Sequence, residues 1–254
     1  MLTFLADATV MVQALSMDFN KNTPLQSITL YLFFAGTVAM GAGALYFFLL
    51  SNNVEPVYRS TMVVAGLVCA IACFHYFKMT HVYQESGGKD FPTALRYIDW
   101  LFTTPLLLIK FPLLLRMGDR GTKFFFQLVV LDVAMIATAF IAETSEVNSE
   151  RWWTFFLVAC VCEAMIVGVL FMSLGQAITE APAPLARSLE TMRLFILIGW
   201  AVYPIGFLMA RSGNGEFREI VYNISDVINK VGFGLVAYHG IQAMSHSQES
   251  QVRG

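Results

Sequence analysis

Charge is what this sequence has least of. Only 13% of its 254 residues are Asp, Glu, Lys or Arg, about half of the roughly 25% usual in soluble domains. The net charge is −2 and no basic run occurs, which argues against a nucleic-acid partner. Cysteine is scarce as well. Cys69, Cys73, Cys160 and Cys162 all lie in apolar runs without a paired CxxC framework, so they read as small buried hydrophobes and no metal site is expected. Internal repeats, low-complexity tracts and any soluble domain are also lacking.

What is present is apolar. Hydrophobic residues make up 57% of the chain, with 22 Phe, 9 Tyr and 4 Trp. Such rings suit lipid-facing and interfacial positions, and equally the wall of an apolar ligand pocket. Seven stretches reach the length of about 20 residues that a bilayer span needs. They lie near 25–50, 57–80, 92–115, 123–143, 152–175, 189–211 and 219–243. The connections are short, polar and punctuated by Gly and Pro. The expected fold is therefore an all-α membrane protein, a seven-transmembrane-helix bundle, with the lipid bilayer as its first partner. Residues 25–245 form its single domain, and 246–254 form a tail. In residues 1–24 no positive region precedes the apolar stretch and Asp7 interrupts it. A short external segment is favoured there over a cleaved signal peptide. Seven helices put the termini on opposite sides, but Lys and Arg divide evenly between the two sets of loops and do not orient the chain.

Lys230 lies deep in the last apolar stretch, where a lysine costs roughly 2.5–3.5 kcal/mol on insertion scales. Asp226 stands one helical turn earlier on the same face. The pair is either a buried salt bridge or an amine kept for covalent chemistry.

The third stretch carries a second constellation. Arg96, Asp99 and Thr103 share one helical face, and Lys110 returns to it eleven residues after Asp99, about 16 Å further along the axis. A lipid-facing stripe cannot be built this way, so this face must look into the bundle. Its spread along the membrane normal favours a proton or ion relay over a structural polar seam. Weaker signals are His75 on the second helix, Asp132 positioned to bond Thr104, and Glu163, a carboxyl whose partner the sequence does not name. Trp200-Ala-Val-Tyr203-Pro204 places two rings and a kinking proline on the sixth helix.

Taken together, Arg96-Tyr-Ile-Asp-Trp-Leu-Phe-Thr-Thr-Pro105, Trp200-Ala-Val-Tyr-Pro204 and Asp226-Val-Ile-Asn-Lys230 resemble the microbial rhodopsins, over nearly the whole chain from residue 25. Within that family the chain is similar to the proteorhodopsin group of light-driven outward proton pumps. The resemblance implies a non-enzymatic transporter of protons with all-trans retinal as cofactor. It implies that Lys230 carries retinal as a protonated Schiff base and that Asp99 is counterion and proton acceptor. Asp226 would be the second counterion carboxylate, His75 the counterion's partner and Arg96 the charge-balancing cation. Trp100, Thr103, Thr104, Leu107, Trp200, Tyr203 and Pro204 would form the retinal pocket, with Leu107 at a position where leucine accompanies green absorption. The Asp132–Thr104 pair matches a family helix contact. The family also implies a bacterial inner-membrane location, the amino terminus outside, the carboxyl terminus cytoplasmic, and a homo-oligomer.

One departure is informative. Where most of these pumps have a carboxylic acid, this chain has Lys110, which resembles a smaller branch that uses lysine as proton donor. Burial disfavours a charged amine, so Lys110 could rest neutral, load a proton from the cytoplasm and pass it on. The alternative function is a retinal photosensor signalling through a partner protein. A chloride pump is disfavoured by the carboxylate of Asp99, and a sodium pump by Thr103 and Lys110. Glu216 and Glu219 could serve proton release, but two glutamates in a loop are expected to be solvated.

Overall fold

Thr23 and Pro24 begin the first helix. The Thr23 hydroxyl accepts from the Gln26 backbone N–H, and the Gln26 side chain returns the bond to Thr23 N at 2.9 Å. This reciprocal cap satisfies two of the donors a helix start leaves open, and proline suits the first turn. The structure, a computed structural model, describes residues 23–253. The expected external segment 1–24 therefore lies almost wholly outside the described residues.

The described residues form seven helices. We label them α1 (Pro24–Leu50), α2 (Arg59–Glu85), α3 (Thr93–Leu114, broken at Ile109), α4 (Gly118–Glu143), α5 (Glu150–Glu180), α6 (Ala183–Ala210) and α7. The last comprises Gly215–Val227, a π-helical turn Ile228–Gly232, and Phe233–Arg253. A second π turn, Phe195–Gly199, interrupts α6. Each helix packs on its neighbour in sequence, and α7 returns to α1, closing the bundle.

Several helices outrun the apolar stretches that predict them. α2 continues to Glu85, α5 to Glu180, and α7 runs through the expected tail to Arg253. The reason is that hydropathy measures only the hydrocarbon-buried part, whereas backbone hydrogen bonding continues into the polar ends. Among the described residues, six helices are long and apolar enough to cross a membrane by length and composition. The charged residues that α7 carries, including Arg218, Glu219, Asp226 and Lys230, dilute its hydropathy, and all four are buried.

Burial is distributed as lipid demands. Large apolar side chains such as Phe126, Met172 and Ile198 are exposed on the outside, while Arg96, Asp99, Thr103, Lys110, Asp132 and Lys230 are inside. The polar stripe of α3 thus faces inward, because hydrocarbon offers its groups no partners. The four cysteines are free.

Candidate functional site

The site is assembled where α2, α3, α6 and α7 converge. Lys230 projects from the π turn of α7 and is 2% exposed. Its Nζ lies 2.9 Å from Asp99 Oδ2 and 3.1 Å from Asp226 Oδ2. The first pairing joins α3 to α7, a contact that spacing along one helix does not reveal.

The two carboxylates are satisfied very differently. Asp226 accepts from Tyr76 Oη at 2.8 Å, Tyr203 Oη at 2.6 Å, Trp100 Nε1 at 3.2 Å and Arg96 Nη1 at 3.4 Å. Asp99 has Thr103 Oγ1 at 3.5 Å from Oδ2, and among the described residues its Oδ1 receives no well-directed hydrogen bond. His75 Nδ1 stands 3.3 Å from Oδ1 and 3.0 Å from the Ile71 carbonyl. Thr103, expected on the pocket wall, is turned instead toward Asp99, donating to the Asp99 backbone carbonyl at 2.9 Å.

On one side of this centre a chain of charges continues through the protein. Arg96 Nη2 donates to Glu219 Oε2 at 2.6 Å and to Asn223 Oδ1 at 2.8 Å. Glu219 Oε1 meets Arg218 Nη2 at 3.0 Å, and Arg218 Nη1 meets Glu143 Oε1 at 2.6 Å. The solvated-loop expectation is wrong for Glu219. It lies inside α7, 1% exposed, between two guanidinium groups. Charges taken out of water require such pairing. A signal for it existed, since Glu219, Asn223, Asp226 and Lys230 follow the 4-3-4 spacing of one helical face. No comparable signal marked Tyr76, whose ring fits against α1 because Gly36 has no Cβ to obstruct it.

On the other side lies Lys110, just past the break in α3. It is fully buried, and its Nζ has no hydrogen-bond partner among the described residues. Its Nζ lies over the Phe233 ring, 5.0 Å from the centroid.

A cavity runs from Lys230 and Asp226 toward α4 and α5. Trp100, Thr104, Leu107, Trp200, Tyr203 and Pro204 line it, as does Glu163. Thr104 Oγ1 donates to Asp132 Oδ2 at 2.8 Å, tying α3 to α4 beneath the cavity wall. Trp100 and Tyr203 pack edge to face with centroids 4.8 Å apart. The arrangement suits an apolar carbonyl compound able to condense with the amine. A buried primary amine opens on an aromatic-walled slot, and two carboxylates stand ready to balance a charge kept on its nitrogen.

Comparison with known proteins agrees with this arrangement. Residues 27–244 match the family model described as bacteriorhodopsin-like protein. The green-light absorbing proteorhodopsin of Gamma-proteobacterium EBAC31A08 is 32% identical over 213 residues, covering 82% of this chain and 84% of that protein. The crystal structure of Exiguobacterium sibiricum rhodopsin superposes with a TM-score of 0.78 at 43% identity, over 86% of this chain and 97% of that one. That of xanthorhodopsin, described as a light-driven ion pump with dual chromophore, gives a TM-score of 0.83 at 28% identity, over 89% of this chain and 97% of that one.

Proposed function

The chain belongs to the bacteriorhodopsin-like family, and we propose that it is a light-driven pump that moves protons outward. Proteins of this family bind retinal and span the membrane several times, and light-driven ion pumping is a family activity. Retinal, all-trans and carried on Lys230 Nζ, would supply a light-driven change of shape and a proton on that nitrogen.

The observation that carries the reading is the unequal satisfaction of the two carboxylates beside Lys230 Nζ. Four donors occupy the oxygens of Asp226, leaving it little room to take a proton. Asp99 keeps an oxygen free of well-directed donors, and its other oxygen is 2.9 Å from the nitrogen. Asp99 therefore accepts the proton, while Asp226 remains the fixed negative charge. His75 shares Asp99 and steadies it from α2. Arg96, held between Asp226 and Glu219, balances charge on the exit side.

Lys110 returns the proton. Its amine is fully buried and has no hydrogen-bond partner among the described residues, and it sits about 16 Å along α3 from Asp99 at 1.5 Å per residue. A photosensor signalling through a partner shares the pocket, but it does not need a buried, unpaired amine on the far side. In this reading the amino terminus is outside and the carboxyl terminus cytoplasmic, in a bacterial inner membrane. Residues 1–24 are an external segment, 25–245 the retinal-binding domain and 246–254 a tail, and the chain assembles as a homo-oligomer.

The test is illumination of cells that make the protein and are supplied with retinal. The medium should acidify, and a protonophore should abolish the signal. A coloured protein that leaves the pH of the medium unchanged would move the reading to the photosensor.

A further inference from the structure

Asn229 immediately precedes Lys230, is 3% exposed, and has no role in the steps above. It lies in the π turn of α7, which faces the π turn of α6. A π turn interrupts the regular hydrogen-bond ladder and leaves backbone groups in need of partners. Asn229 supplies one across the helix interface. Its Nδ2 donates to the Gly199 carbonyl at 3.0 Å and to Tyr203 Oη at 3.2 Å. A primary amide has two N–H groups, so both bonds form together. Tyr203 Oη donates onward to Asp226 Oδ1 at 2.6 Å. The approach is so close that a Cβ on Gly199 would collide with Asn229 Oδ1.

We propose that Asn229 is a positioning residue that locks the π turns of α6 and α7 together and, through Tyr203, holds the Asp226 carboxylate against Lys230 Nζ. The lock stands on the hydrogen bonds themselves, and its spectral consequence rests on the retinal reading. A hydroxyl that accepts one hydrogen bond donates a stronger one, because the chain polarises cooperatively. Without Asn229, Tyr203 donates more weakly. Negative charge on Asp226 is then less dispersed and holds positive charge more tightly on the nitrogen. The charged neighbours of Asp226, Lys230 and Arg96, and its other donors, Tyr76 and Trp100, remain in place.

Asn229→Ala and Gly199→Ala test this from opposite sides of the interface, with and without retinal. With retinal, both should move the visible band to shorter wavelength, and Asn229→Ala should add no shift in a Tyr203→Phe background. Without retinal, both should lower the unfolding temperature, and the double variant should unfold no earlier than its less stable parent. An unchanged band in Asn229→Ala overturns the positioning role. So does a shift that survives intact beside Tyr203→Phe, because the amide would then act directly on the chromophore. Fully additive losses of unfolding temperature overturn the lock. A wild-type protein that stays colourless sinks the retinal reading instead, and the unfolding comparison still decides the lock.

Discussion

His75 Nδ1 stands 3.3 Å from one oxygen of Asp99, while the other oxygen of that carboxylate is 2.9 Å from Lys230 Nζ. One acidic group therefore links an imidazole on α2 to the amine on α7. The His75→Asn variant should displace the pH midpoint of the acid-induced colour change, measured by absorption titration. Superimposable titrations of variant and wild type would separate His75 from the counterion.

Lys230→Ala should be colourless after the same retinal treatment that colours the wild type. Lys230 is the lysine that lines the cavity, and alanine offers no nucleophile in its place. A visible band in the variant would falsify the attachment site.

Asp99→Asn should absorb at longer wavelength than wild type at neutral pH. A neutral group beside the nitrogen stabilises localised positive charge less than a carboxylate does. The same variant should not acidify the medium in light, since the amide cannot take the proton. Wild-type pumping by Asp99→Asn would remove Asp99 from the acceptor role.

Lys110→Ala should keep its colour and the first proton transfer, because the residue is about 16 Å along the helix from Asp99. Return of the proton to the Lys230 nitrogen should slow, and slow further as pH rises, because protons would then come from bulk water. Flash photolysis across pH measures both effects. Equal return rates in variant and wild type at every pH would make Lys110 a structural residue.

Arg218→Ala should be strongly destabilising. It strips one partner from Glu143 and from the buried Glu219, and breaking a buried pair in this way costs roughly 3–5 kcal/mol. The expected signature is a large drop in unfolding temperature with the visible band little changed. Wild-type stability would mean that water replaces the guanidinium at this end of the bundle.

The seven helices were legible in the sequence because hydrocarbon admits few alternatives to a long apolar helix, and each span announces itself locally. The inward face of α3 was legible for the same reason, since Arg96, Asp99, Thr103 and Lys110 cannot face lipid. Asp226 and Lys230 were a visible pair because four residues make one turn. What needed the tertiary structure were relationships between helices. Spacing within α3 cannot say that Asp99 meets Lys230, that Thr103 turns to Asp99, or that Tyr76 reaches Asp226. Glu219 resembled a solvated loop acid because Arg96 becomes its partner only when α3 and α7 pack, and because α7 begins earlier than its hydropathy suggests. The Asn229–Gly199 bond depends on two π turns coming face to face. A π turn is a change of helical phase with little local signature, and the packing of α6 against α7 decides which carbonyl it leaves for Asn229 to bind.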